Sequence, residues 1–109
     1  MTDITVKRNN GSIVEVVAQG HTGYGEAGED IVCAAVSTLL QSALLGLLQV
    51  VGINVKFSVD EEKGSLRFTL PSVLSAEERH DADIVLNTML CGIKDIYTEY
   101  SDYINLEVI

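Results

Sequence analysis

The chain has 109 residues, which suits one domain with a modest hydrophobic core, so we expect residues 1–109 to form a single domain. Sixteen acidic and seven basic residues give a formal net charge of -9. This charge repels nucleic acid, anionic membrane surfaces and polyphosphates on average, and it favours a basic partner.

The amino terminus has no basic segment followed by an apolar stretch and a small-residue cleavage site, so we expect a cytoplasmic protein. The only cysteines are Cys33 and Cys91. Two cysteines are too few for a disulfide scaffold, and a reducing compartment keeps both as free thiols.

The first elements in chain order are two strands, ITVKR and SIVEVVAQ, that flank the turn NNG. Asparagine and glycine tolerate positive φ, so this pattern predicts an antiparallel hairpin. A glycine-rich loop follows, and Asp30 is the expected N-cap of a helix that runs to about Val51 and ends at Gly52.

That helix belongs to a stretch, residues 31–55, that carries no charge and is long enough to raise the question of a membrane span. Polar residues interrupt it, its leading flank GEAGED is acidic, and no cluster of Lys or Arg marks a cytoplasmic side. We therefore predict a largely buried helix, part of which a second copy of the chain covers.

In the second half, alternation from Ile53 to Val59 and again from Leu66 to Leu70 predicts a second hairpin around DEEKG, with one face in water. Ser75 and Glu78 have the spacing of a capping box that opens a second helix. The predicted apolar stripe of this helix is Ala82, Val85, Leu86, Met89, Ile93, Ile96, Tyr97 and Tyr100.

A last alternating stretch, residues 104–108, completes the order ββαββαβ. This order predicts an α+β fold with a single sheet of about five strands that carries both helices. The order of the strands within the sheet is left open by the pattern.

The loop GYGEAG, residues 23–28, matches G-x-G-x-x-G, but a nucleotide site is not expected there. His21 and Thr22 separate the first glycine from the strand, and Glu26 and Glu29 would crowd a phosphate with negative charge. No G-K-[ST] follows, so a P-loop is also excluded. The loop is either a plain connection or a segment that closes over a bound chain.

Cys33 and His21 are the candidate catalytic pair. With Asp30 as the N-cap, Cys33 is the third helical residue, where the helix dipole favours a thiolate. His21 lies at the other end of the loop, and a thiol with an imidazole is the minimum set for acyl transfer. Asp30, Cys33 and Ser37 share one helical stripe. The alternative is that Cys33 packs as a small hydrophobic residue.

The other such pair, His80 and Cys91, is separated by about 16 Å along a helix. We expect His80 to be solvated and Cys91 to be a packing residue. No spacing typical of a zinc site occurs, so we expect no metal.

Gly-His at 20 and 21, the glycine loop, and GEDIVCAAVS at 28–37 resemble the ribosomal-processing cysteine proteases called Prp. The resemblance implies a cytoplasmic homodimeric endopeptidase without a cofactor. It implies that the substrate is the N-terminal extension of the twenty-seventh protein of the large bacterial ribosomal subunit, cut after an aromatic pair and before a small residue.

The same resemblance implies that Cys33 is the nucleophile and His21 its acid and base partner, with Asp30 and Ser37 as supporting residues. The loop that contacts substrate would contain Gly20, Thr22, Gly23, Tyr24, Gly25 and Gly28. Direct binding of nucleic acid or membrane is not expected. The alternative hypothesis is a non-enzymatic, ribosome-associated module whose acidic surface binds basic ribosomal proteins.

Overall fold

The structure is a computed structural model that describes residues 1–20, 27–60 and 62–109, with the backbone alone for 27–30. Its order of elements is ββαββαβ, as predicted. The elements are β1 (Thr2–Asn9), β2 (Ser12–Gln19), α1 (Ala27–Leu45) with a π-helical continuation (Gly46–Val51), β3 (Lys56–Asp60), β4 (Ser65–Thr69), α2 (Ala76–Tyr100) and β5 (Ile104–Val108).

All five strands form one sheet in the order β3-β4-β2-β1-β5, which confirms the α+β prediction. The strand pairs β1–β2, β2–β4 and β3–β4 are antiparallel, whereas β5 pairs parallel with β1. The parallel pair requires a crossover connection, which α2 supplies. The edges of the sheet are therefore β3 and β5.

The first hairpin turns at Asn10 and Gly11, whose φ values are +54° and +82°. Two successive residues with positive φ are typical of the tight turn whose twist matches a β-hairpin. The predicted role of NNG is thus confirmed, and the sequence fixes the pairing of β1 with β2 through this turn.

The core lies between one face of the sheet and the two helices. Val6, Val16 and Phe68 are fully buried on neighbouring strands, and Leu40 and Leu86 are fully buried on α1 and α2. Each such side chain contributes roughly 1.5–3 kcal/mol by leaving water. The hydrophobic face of the sheet and the inner sides of the helices therefore hold the domain together.

The helix α1 begins at Ala27, three residues before the predicted N-cap at Asp30. The predicted N-cap at Asp30 is therefore wrong. An acidic residue is favoured both at the cap and throughout the first turn, so the position of Asp30 does not define where the helix begins. Counting from Ala27, Cys33 is the seventh helical residue rather than the third. The predicted end is confirmed: Gly52 has φ +80°, and its N–H donates to the Leu47 carbonyl at 3.0 Å.

Residues Ile31–Val51 form the one helical stretch of the described chain that is long and apolar enough to span a bilayer, with a mean hydropathy of 2.1. Only 33% of its most apolar window is buried. Val32, Val36, Leu40 and Leu47 nevertheless lie in the core. In this fold the stretch is a core helix whose outer side is uncovered.

The start of α2 confirms the predicted capping box. The Ser75 hydroxyl accepts a hydrogen bond from the Glu78 N–H at 3.1 Å, and the Glu78 carboxylate accepts one from the Ser75 N–H at 2.9 Å. The predicted apolar stripe is wrong at its end, since Tyr97 and Tyr100 are 39% and 40% exposed. Both lie in the last turns, where α2 extends past the core.

The second hairpin is present, but its apolar face is only partly covered. Phe57 pairs with Phe68 and Val59 with Leu66, so each pair projects from the same face of the sheet. Phe68 and Leu66 are buried, whereas Phe57 is 54% and Val59 48% exposed. The helical layer thus ends short of the edge strand β3.

Candidate active site

A cavity of about 460 Å³ opens between α1, the end of β2 and the β3–β4 hairpin. The half-buried side chain of Cys33 lies on its α1 wall. Val36, Leu40 and Leu66 give the cavity an apolar floor, and Asp60 lies on the hairpin wall. The shape suits an extended chain with apolar side chains, and a thiol lies within reach of it.

Cys33 lies against Gly20, the residue that follows β2. A β-carbon on Gly20 would stand 3.3 Å from Cys33 Sγ and 3.2 Å from Thr2 Oγ1. Contacts this short are rarely tolerated, so the absence of a side chain at Gly20 permits the close approach. The backbone here is fixed by a hydrogen bond from the Gly20 N–H to the Gly64 carbonyl at 2.9 Å.

Thr2 is a site residue that sequence reasoning missed. Among the described residues it is the one buried polar residue, 4% exposed, and it lines the cavity beside Gly20. Its position follows from the pairing of Asp3 with Gln19, which brings the start of β1 opposite the end of β2. No motif marked it, because its neighbour Cys33 lies far away in sequence.

Ser37 lies one helical turn beyond Cys33 and also lines the cavity. Its hydroxyl accepts a hydrogen bond of 2.7 Å from Gln41 Nε2, a further turn along. Sequence reasoning identified Ser37 but missed Gln41, although Gln41 continues the same i, i+4 series. The α1 wall of the cavity therefore carries Cys33, Ser37 and Gln41 in sequence.

Several predicted residues lie outside the described part of the structure. They are His21, Thr22, Gly23, Tyr24 and Gly25, together with the side chain of Asp30. Gly28, predicted to belong to the substrate loop, lies in the first turn of α1 by its backbone. Its predicted contact with the substrate stays a prediction.

The second histidine and cysteine lie on α2, away from the residues that line the cavity. His80 is exposed as predicted, with its Nδ1 3.2 Å from the Asp81 carboxylate. Cys91 is exposed, so its predicted packing role is wrong. The buried position on this part of α2 belongs to Leu90 instead, which is 3% exposed.

No group of three His, Cys, Asp or Glu side chains that could hold a metal ion occurs within residues 1–20, 31–60 and 62–109. The described lining of the cavity offers the Cys33 thiol, the hydroxyl groups of Thr2, Ser37 and Ser65, and an apolar floor. A thiol in a cavity that can hold an extended chain is suited to nucleophilic attack on that chain.

The chain is similar to known proteins over nearly its whole length. The family model described as cysteine protease Prp matches residues 1–105. The chain is 28% identical over 109 residues to the ribosomal processing cysteine protease Prp of Bacillus subtilis, covering 99% of this chain and 96% of the relative. It is 32% identical over 104 residues to the protein of the same name from Staphylococcus aureus, covering 95% and 93%.

Solved structures share the fold over the whole chain. SMU.848 from Streptococcus mutans has a TM-score of 0.87 and 28% identity, with 100% of this chain and 94% of that one covered. The S. aureus protease Prp with a covalently linked product peptide has a TM-score of 0.83 and 25% identity, with both chains fully covered. The chain therefore belongs to the cysteine protease Prp family and is a cysteine protease.

Proposed function

We propose that this chain removes the N-terminal extension of the twenty-seventh protein of the large ribosomal subunit during ribosome assembly, cutting after an aromatic pair. Two relatives carry the name ribosomal processing cysteine protease, and one solved relative holds a covalently linked product peptide. The acidic balance of this chain suits a basic ribosomal substrate. The apolar floor of the cavity suits aromatic side chains.

The observation that carries the proposal is the contact of Cys33 with Gly20. The thiol lies against the residue that precedes His21 in the sequence. The proposal therefore takes His21 as the acid and base partner of Cys33.

In the proposed reaction His21 takes the thiol proton, and Cys33 Sγ attacks the carbonyl carbon of the scissile bond. The tetrahedral intermediate collapses as His21 gives its proton to the leaving amine, which leaves an acyl-enzyme. Water activated by His21 then releases the new carboxylate and restores the thiol. Asp30 and Ser37 serve as supporting residues in this proposal, and the glycine loop covers the peptide.

The active form in this proposal is a cytoplasmic homodimer. The outer side of α1 and the edge strand β3 leave Leu45, Phe57 and Val59 about half exposed, at 51%, 54% and 48%. Three large apolar side chains that are about half exposed favour a covering surface. A second copy of the chain offers one that is self-complementary.

Incubation with a neutral peptide that contains an aromatic pair followed by alanine tests the proposed function. We expect cleavage after the pair by the wild-type chain and by the Cys91→Ala control, and a loss of at least about 1000-fold with Cys33→Ala or His21→Ala. Cleavage by Cys33→Ala at the wild-type rate would disprove the assignment.

The proposed role of Cys33 as the nucleophile predicts a reactive thiol. We expect iodoacetamide to label Cys33 faster than Cys91 at pH 6.5, although Cys91 is the more exposed of the two. Mass spectrometry of the two tryptic peptides gives the ratio. Slower labelling of Cys33 than of Cys91 would contradict this role.

A further inference from the structure

Ser37 differs from the other helical hydroxyl groups that form hydrogen bonds in the described chain. Thr38, Thr88 and Thr98 each donate to the carbonyl oxygen four residues earlier, at 2.7 to 2.9 Å. Ser37 Oγ accepts from Gln41 Nε2 and donates to no described acceptor, Cys33 Sγ included. The proton of this hydroxyl is therefore not used within the described structure.

The Gln41 amide restricts where that proton can point. A hydroxyl has one donor and two lone pairs, and a lone pair that receives the amide N–H turns the O–H bond away from Gln41. Ser37 and Gln41 both line the cavity that contains Cys33. The donor of Ser37 is thus available to a chain that occupies the cavity.

We propose that Gln41 is a positioning residue that orients the Ser37 hydroxyl to donate a hydrogen bond to a backbone carbonyl of the bound peptide. The inference rests on the proposed function. Four helical residues rise about 6 Å, and an extended chain advances about 3.3 Å per residue. The carbonyl that Ser37 reaches therefore lies about two residues from the scissile bond.

Binding of the peptide also strengthens the hydrogen bond between Gln41 and Ser37. Gln41 is exposed in the free chain, where water competes for its amide. A peptide that covers the cavity excludes that water, and hydrogen bonds strengthen in the drier surroundings. Because the contact lies away from the reacting carbonyl, it stabilises the bound substrate and the transition state alike, and its loss raises KM with kcat nearly unchanged.

Gln41→Glu is the most specific test because glutamate has nearly the shape of glutamine but can only accept a hydrogen bond from Ser37, whereas Gln41 donates one. The introduced carboxylate has no proton, so it accepts from the Ser37 hydroxyl and occupies the donor. With the neutral aromatic-pair peptide we expect KM to rise about tenfold, which corresponds to about 1.4 kcal/mol of binding free energy. We expect the same rise in KM for Ser37→Ala. Gln41→Lys, which keeps a donor, should stay within about threefold of wild type.

Gln49→Glu is the matched control, since it adds the same charge to an exposed glutamine beyond the end of α1 and away from the cavity. Thr38→Val controls for the loss of a neighbouring hydroxyl that is already bonded to a carbonyl. Both should keep the wild-type KM. The melting temperature of Gln41→Glu should change by less than about 2 °C, because Gln and Glu have similar helix propensities.

The double variant Ser37→Ala with Gln41→Glu separates a joint role from two independent ones. If Gln41 acts through Ser37, the KM of the double variant rises no further than the KM of Ser37→Ala alone. A KM that rises about 100-fold in the double variant, or a Gln41→Glu variant with the wild-type KM, would overturn the inference and leave the proposed function intact. A wild-type chain that does not cleave the peptide overturns both.

Discussion

At the scale of single residues, the site depends on a glycine that sequence reasoning assigned to a substrate loop. Gly20 is the residue that follows β2, and it lies against both Cys33 Sγ and Thr2 Oγ1. The pairing of β1 with β2 fixes one of these neighbours, and the packing of α1 fixes the other. Gly20 therefore leaves room for the Cys33 thiol beside the sheet, a role distinct from flexibility.

Gly20→Ala is expected to impair catalysis more than folding. The new methyl group would meet sulfur at 3.3 Å and oxygen at 3.2 Å, so the thiol must shift by a few tenths of an ångström. Displacement of a nucleophile by such amounts lowers kcat, and we expect kcat/KM to fall about tenfold or more. Peptide cleavage and thermal melting measure the two effects.

Gly92→Ala is the control for this substitution. Its new methyl group would meet Leu39 at 3.1 Å between the two helices, a comparably tight contact away from the cavity residues. We expect wild-type kcat/KM from Gly92→Ala. If Gly20→Ala also cleaves at the wild-type rate, the thiol is not held by its contact with this residue.

At the scale of elements, local sequence signals predicted some boundaries and failed at others. The capping box of Ser75 and Glu78 was read correctly because both of its hydrogen bonds lie within four residues. The start of α1 was misread because Asp30 satisfies the preferences of a cap and of a first turn equally. The consequence is that Cys33 lies in the second turn, beyond the free amides of the helix start.

Ser75→Ala is expected to destabilise the fold without affecting the site. It removes the hydroxyl that accepts from the Glu78 N–H, which costs about 1 kcal/mol, and keeps the backbone N–H that donates to the Glu78 carboxylate. For a domain of this size the melting temperature should fall by about 4–8 °C. Ser72→Ala, an exposed serine just before this cap, is the control and should melt as wild type. Equal melting temperatures would show that the cap does not limit stability.

At the scale of the whole molecule, the strand order brings distant parts of the chain to one cavity. Because β4 pairs with β2, the β3–β4 hairpin stands beside Gly20 and forms the wall opposite Cys33. The same order leaves β3 at an edge, where the helices no longer cover the sheet. One arrangement thus creates both the cavity beside Cys33 and the exposed apolar side chains of β3.

Phe57→Lys combined with Leu45→Lys is expected to convert the proposed homodimer into a monomer. Both side chains are about half exposed, and a charge at the centre of an apolar interface would be buried without a partner. Sedimentation at micromolar concentrations measures the mass. Ile84→Lys, on the outer side of α2 and 56% exposed, should remain a dimer. A wild-type monomer at these concentrations would contradict the dimer proposal.

Features that depend on neighbours along the chain were predictable from local sequence patterns. Asn10 and Gly11 specified the first turn, alternation specified the strands, and the spacing of Ser75 and Glu78 specified the start of α2. Cys33 and Ser37 were identified by helical spacing and by family resemblance, and the structure finds both on the wall of one cavity.

Features that depend on partners far away in sequence result from the packing of the folded domain. The parallel pairing of β5 with β1, the approach of Thr2 and Gly20 to Cys33, and the exposure of Phe57 all result from the strand order and from how far the helices cover the sheet. Periodicity shows that a side chain has an apolar face to bury. It does not show which element covers that face, because the covering element is selected by the packing of the whole domain.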